Sequence, residues 1–201
     1  MSWTTAFVGT CQEDIKVYEL YYAPTTSAEF TRIAEVTDTT YLHDNLQSFK
    51  GCYKVRGIDR SGNEGEFSNV FCVDNCPYYE LPNVFTPGNS DNCNDVFSAY
   101  SNRSTVGEDG SGGCGTVDIS KCARFVKSVN FIVYNRWGKE VYNYVGTQGA
   151  ENSILIDWNG IDNNGSELAS GVYFYVAEVD FDVVDPSKSK QKIKGWVHLL
   201  R

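Results

Sequence analysis

Short runs of alternating apolar and polar residues, each stopped by a cluster of Gly, Asn, Asp or Pro, recur along the chain, and this spacing excludes most architectures. Side chains at every second position line one face of an extended strand, so Tyr18, Leu20 and Tyr22 share a face that Val17, Glu19 and Tyr21 do not. Strands are expected over residues 2–4, 16–22, 30–36, 40–43, 51–59 and 67–73, then over 95–100, 129–135, 139–144, 154–158, 171–181 and 192–200. Turn signals separate them, among them residues 61–65, 136–139 and 163–166. No stretch has the 3.6-residue period of a helix, and none repeats at 20–50 residues. The fold class is therefore all-β, with two consecutive antiparallel β-sandwiches of the immunoglobulin or fibronectin kind. The polar junction Asp74-Asn75-Cys76-Pro77 places the boundary between domains at 1–75 and 76–201.

Charge narrows the partners. The chain has 201 residues and a formal net charge of −9, and both halves are acidic. Neither carries the positive field that phosphate binding needs, so nucleic acid is not an expected partner. No apolar run approaches the roughly 20 residues of a membrane helix, so the chain is not expected to span a membrane by that route, and it is expected to be monomeric alone. Residues 1–10 lack the basic and apolar regions of a secretion leader, and Met1 abuts strand-like sequence; a piece of a longer protein is expected.

The seven cysteines form no C-x-x-C pair, and His43 and His198 lie far from any cysteine pair. Disulfides are thus expected rather than zinc, which implies an oxidising compartment. If the hairpin after residue 59 turns at Gly62, Cys52 faces Cys72 across neighbouring strands and the two can bond. The Gly- and Ser-rich stretch 101–122 reads as a long loop, clipped if Cys93 bonds to Cys114 or Cys122. Asp91, Asn92 and Asp95 are the weak metal candidates. The frame of a twelve-residue calcium loop fails, because the twelfth residue from Asp91 is Asn102 where a Glu is required, so no metal and no cofactor is expected. The cluster of Asp157, Asp162, Asn163 and Asn164 reads as turn chemistry instead. No nucleophile motif or phosphate loop is present, and an enzyme is not expected.

The second half resembles the gliding motility-associated C-terminal domain, the type B sorting domain of the Bacteroidetes type IX secretion system. The resemblance rests on Leu81-Pro82-Asn83-Val84-Phe85-Thr86-Pro87, on Tyr134-Asn135-Arg136-Trp137-Gly138-Lys139-Glu140-Val141-Tyr142, on Trp158-Asn159-Gly160, on Gly171-Val172-Tyr173-Phe174-Tyr175-Val176, and on Gly195-Trp196-Val197-His198-Leu199-Leu200-Arg201. One departure is local: the family's Thr-Pro-Asn-Gly-Asp-Gly loop is here Thr86-Pro87-Gly88-Asn89-Ser90-Asp91. Residues 1–75 resemble a fibronectin type III domain without its first strand, through Trp3, Tyr18-x-Leu20-x-Tyr22 and Leu46 with Tyr53-x-Val55. The resemblance implies a sorting module that sends a fused surface or secreted cargo across the outer membrane. It also implies the type IX translocon and a PorP/SprF-like outer-membrane β-barrel as partners, and a location at the cell surface or in the medium. The alternative is an adhesive or glycan-binding module of a surface protein. Candidate recognition residues are Arg136, Trp137, Gly138 and Lys139 in a hairpin turn, and Gly195, Trp196, Leu199, Leu200 and Arg201 in the last strand. That strand carries apolar groups on both faces, so it is expected inside a sheet, beside residues 171–181, with Trp196 and Leu200 contributing to the core.

Overall fold

A computed structural model describes residues 1–4, 14–44, 46, 48–88, 94–100 and 119–201. Among the described residues, the regular elements are nine strands and two single-turn 3-10 helices, at Ile119–Lys121 and Pro186–Lys188. The strands are β1 (Ile15–Ala23), β2 (Thr31–Val36), β3 (Gly51–Asp59), β4 (Phe71–Val73), β5 (Val84–Phe85), β6 (Val126–Tyr134), β7 (Glu140–Thr147), β8 (Gly171–Phe181) and β9 (Lys190–Leu199). The protein is all-β, as the alternating runs require. It divides into two compact units: Met1–Asn75 with Val183–Pro186, and Cys76–Asp182 with Ser187–Arg201.

In the first unit the strand order is β2-β1-β3-β4. Leu20 and Ala23 of β1 and Cys52 and Tyr53 of β3 are buried. Cys52 and Cys72 face each other across β3 and β4 and are joined by a disulfide, with Cα atoms 4.0 Å apart. The hairpin between them does not turn at Gly62. Asp59 and Asn63 close the turn, and Ile58 lies opposite Glu64. That ladder is out of step with Cys52↔Cys72, and residues 66–70 absorb the offset, with the Ser68 hydroxyl accepting from the Val55 N–H. The turn is set by Asp59, whose carboxylate seizes the following amides; the disulfide register survives because the irregular stretch is long enough to slip. The expected run 67–73 is accordingly strand only over Phe71–Val73, and of 40–43 Thr40 bridges Ser2 and Tyr41 exchanges backbone hydrogen bonds with Met1.

The second unit holds a five-stranded sheet, β5-β9-β8-β6-β7, antiparallel apart from the β5·β9 pair. Tyr173, Tyr175, Ala177, Val179 and Phe181 of β8 alternate inward, as do Val129, Phe131 and Val133 of β6 and Val197 and Leu199 of β9. The layer opposite is thin. Phe97 and Trp158 exchange two backbone hydrogen bonds, and the Ala99 N–H donates to the Leu155 carbonyl. Aromatic side chains fill the space between. Trp158 is 1% exposed, stacks on Tyr142 at 5.3 Å, lies 5.2 Å from Phe85, and donates its indole N–H to the Ile161 carbonyl. Phe97 stacks on Phe131 at 5.5 Å. The hydroxyls of Tyr79 and Tyr144 donate to the carbonyls of Ile154 and Ser153 and tie down the segment that delivers Trp158. That segment is strained: Ile156 and Asp157 have φ of 80° and 55°, a region that a β-branched residue enters only under constraint. The expected strand 154–158 is thus a held loop, with one bridging residue.

The last strand lies between β5 and β8, inside the sheet, and pairs with β8 over its whole length. Only one of its faces is buried. Trp196 and Leu200 are 46% and 48% exposed, which corrects the expectation that both enter the core. Gly195 is on the inner face because the Tyr175 ring crosses it; a Cβ there would sit 2.4 Å from the tyrosine oxygen.

Two tryptophan substitutions separate these environments. Trp158→Ala should cost about 3–5 kcal/mol of unfolding free energy, as large aromatic truncations in a packed core do. Trp196→Ala should cost under about 1 kcal/mol. Urea unfolding followed by circular dichroism distinguishes them; equal losses would contradict the one-sided burial of β9.

Candidate recognition surface

One five-residue turn is used three times, and its repetition separates what the backbone needs from what it does not. The copies are Asp59-Arg60-Ser61-Gly62-Asn63, Asn135-Arg136-Trp137-Gly138-Lys139 and Asp162-Asn163-Asn164-Gly165-Ser166. In each, the first side chain accepts from the third and fifth amides: Asp59 Oδ1 from Ser61 and Asn63, Asn135 Oδ1 from Trp137 and Lys139, and Asp162 Oδ1 from Asn164 and Ser166, at 2.7–3.0 Å. The fourth residue is a glycine with φ of 87°, 78° and 81° in turn. A paired residue flanks each side: Ile58 with Glu64, Tyr134 with Glu140, and Ile161 with Glu167. The device therefore requires an Asx residue and a glycine, and leaves the second and third positions free.

At those free positions the β6–β7 turn carries Arg136 and Trp137. Trp137 is 74% exposed, and the Arg136 guanidinium stacks on its ring at 4.0 Å. The other two copies fold with Arg60-Ser61 and Asn163-Asn164, so the aromatic is not needed for the turn. An exposed indole held by a cation is a preorganised contact at little conformational cost. Gly138 supplies the backbone, and Lys139 is exposed beside it.

The candidates at the last strand divide by face. Leu199 is fully buried and Gly195 lies under Tyr175, so both are structural. Trp196 and Leu200 face solvent, and the Trp196 ring lies 5.2 Å from that of His198. Arg201 is engaged: it pairs with Glu167 at 3.2 Å and donates to the Gly160 carbonyl at 3.1 Å. The β-ladder brings Trp196 beside residues that the sequence reading passed over. Trp196 is opposite Phe174, and Phe174 is opposite Tyr134, the residue before the Arg136–Trp137 turn. Val172 lies opposite His198, which in turn neighbours Val84. The signal was present in β8, where Val172, Phe174 and Val176 form a second apolar series between the buried tyrosines.

Of the metal candidates, Asp91 and Asn92 lie outside the described residues, as do Cys93 and Cys114; Cys122 is buried. Asp95 is described, and its Oδ1 is buried without a hydrogen-bond partner. Among the described residues, no three His, Cys, Asp or Glu side chains converge. The strongest charge cluster is one the sequence reading missed. Glu19, 7% exposed, accepts from Arg56 Nε at 2.8 Å, Arg32 at 2.5 Å and the Tyr21 hydroxyl at 3.0 Å, and Arg56 also pairs with Glu64. The Arg56 hydrogen bond holds the Glu19 carboxyl below its usual range. Lys54 beside it lies over the rings of Phe67 and Phe30, at 3.9 and 4.7 Å. This is a satisfied network across three strands and leaves no reactive group.

The turns titrate differently. The Asn63 side chain and backbone hold the Asp59 carboxyl below its ordinary value, and the amides of Ser166 and Asn164 do the same for Asp162. A carboxylate whose folded pKa is lowered stabilises the fold above its ordinary value of 3.8, and that contribution is lost as pH falls through the lowered one. The amides of Ser61, Asn63, Asn164 and Ser166 should therefore lose exchange protection on acidification below the ordinary aspartate range, while those of Trp137 and Lys139, held by the neutral Asn135, keep theirs. NMR amide exchange measures this. A simultaneous loss at all three turns would mean global unfolding rather than local titration.

Residues 79–199 match the family model described as the CHU_C Type IX secretion signal domain. No curated protein matches the chain. Among solved structures, a crystal structure of dimeric latent PorU from Porphyromonas gingivalis overlaps 96% of the chain at 14% identity and a TM-score of 0.31, too loose a likeness to support an argument. The chain spans about 16% of that PorU chain.

Proposed function

The chain belongs to the type IX secretion signal domain family, and on that footing we propose that residues 76–201 are a non-enzymatic sorting module that directs a fused surface or secreted cargo through the type IX system and across the outer membrane. The family match over 79–199 carries the reading, and it falls within the unit Cys76–Asp182 with Ser187–Arg201. The partners on this reading are the translocon and a PorP/SprF-like outer-membrane β-barrel. The Cys52–Cys72 disulfide fits passage through an oxidising compartment. Residues 1–75 are, on this reading, a fibronectin type III-like domain that precedes the sorting module in sequence. A rigid β unit suits recognition by a partner, because its surface is already ordered before contact.

A second reading is an adhesive or glycan-binding module, favoured by the exposed rings of Phe174 and Trp196 on a flat sheet face. Export separates the two. A reporter fused ahead of the full chain should reach the outside of a bacterium with an intact type IX system and stay inside an otherwise identical strain without it. Secretion in both strains, or in neither, would count against the sorting module.

A further inference from the structure

The outer face of the five-stranded sheet is divided into two zones. The half near the β8–β9 connection is mainly polar, apart from the exposed Val145 opposite Asn130: Lys190 lies opposite Asp180, Lys192 opposite Glu178 and Glu178 opposite Asn130, with Lys192 and Glu178 ion-paired at 2.6 Å. The half beside the 135–139 turn is apolar. Tyr134, Phe174 and Trp196 form a row across three strands, at the roughly 4.8 Å spacing of neighbouring strands. Phe174 and Trp196 are 48% and 46% exposed. Val172, Val84 and Leu200 extend the zone along the sheet, all exposed. An antiparallel sheet facing water carries polar side chains on that side, and the charged half shows that this sheet can do so. A contiguous exposed apolar zone marks a contact surface.

Charge identifies what it contacts. Arg32, Arg56, Lys121, Lys127, Lys192 and Arg201 are ion-paired. Arg136, Lys139 and Lys194 border the apolar zone and form no ion pair among the described residues, as is also true of Lys16, Lys54, Arg60 and Lys190 away from it. Cations left without carboxylates in a chain of net charge −9 are complementary to an acidic rim on a partner. The same net charge opposes approach to an anionic lipid surface.

We propose that this apolar zone, with the Arg136–Trp137 turn at its border, is the face on which the export machinery docks, and that the docking partner is a protein surface with apolar side chains inside a ring of carboxylates. The inference rests on the sorting reading and adds to it the face and the partner's chemistry. Docking buries the Tyr134–Phe174–Trp196 row against the partner, while Arg136 and Lys194 gain the carboxylates they lack and fix the orientation.

The test uses the full chain with its reporter. Phe174→Thr and Trp196→Thr should each lower exported reporter at least tenfold, with melting temperatures unchanged. The double charge reversal Arg136→Glu with Lys194→Glu, on side chains that the fold does not use, should do the same. Asn130→Thr and Lys190→Thr, in the charged half, should export normally. Export of the Thr variants or of the charge reversal within twofold of the parent would overturn the proposal while leaving the sorting reading intact. Failure of the parent itself to be exported by a competent strain would overturn both. Two further measurements name the other occupants. Flotation of the parent chain, but not Phe174→Thr, with vesicles of phosphatidylethanolamine and phosphatidylglycerol would make the face a lipid contact. A dimer in sedimentation velocity that Phe174→Thr dissolves would make it a self-contact. Either result overturns the proposed partner.

Discussion

Trp158 sits where two incomplete layers must be held together. One layer of the second unit is a full sheet. The other has little more than the Phe97·Trp158 bridge and the Ala99–Leu155 hydrogen bond to define it. Ladder hydrogen bonds cannot fix so short a layer, and aromatic packing takes over. Trp158, Phe97, Phe85, Phe131 and Tyr142 lie within 6.5 Å of one another in successive pairs, and they join the loop layer to β5, β6 and β7. The strained φ values at Ile156 and Asp157 are tolerated because they deliver the indole into this cluster. The tyrosine hydroxyls that hold carbonyls 153 and 154 belong to the same arrangement. With the core fixed from that side, Phe174, Trp196 and Leu200 on the sheet's opposite face remain about half exposed.

Much of this was legible in the sequence, and the failures have physical causes. Period-two alternation located β6, β8 and β9 because one face of each is buried and the other is not, whereas β1 and β3, also located, are buried or half-buried on both faces and were found by their apolar content and flanking turns. The same rule misread Trp196 and Leu200. Apolar residues on both faces of a strand fit burial on both sides equally well as burial on one side with an exposed contact zone on the other, and nothing local distinguishes the two. Strand 154–158 was misread because Ile154, Leu155 and Ile156 have the composition of a strand, whereas the backbone that places them answers to Trp158. Cys52 and Cys72 were paired from an assumed apex that proved wrong, and the pairing held because residues 66–70 take up the difference.

The Glu19 network was invisible for another reason. A glutamate in the middle of a strand reads as solvent-facing, yet Glu19 is buried because Arg32 and Arg56 reach it from β2 and β3. Those partners are 13 and 37 residues away, and only the strand order brings them together. The three Asx–Gly turns are the opposite case. Each is written entirely within five consecutive residues, so its geometry depends on nothing distant, and the variable positions inside it expose what is not structural.

The pairing of β5 with β9 has a consequence in time. Val84 and Phe85 open the sheet in sequence, but their hydrogen-bonding neighbours are His198 and Leu199, and β9 also supplies the outer partner of β8. A nascent chain that has reached only β8 therefore has two unsatisfied edges and lacks the Trp196 that completes the aromatic row. The aromatic row is complete only when β9 is paired between β5 and β8. On the proposed docking reading, a face that needs this pairing is absent from a chain that stops before β9.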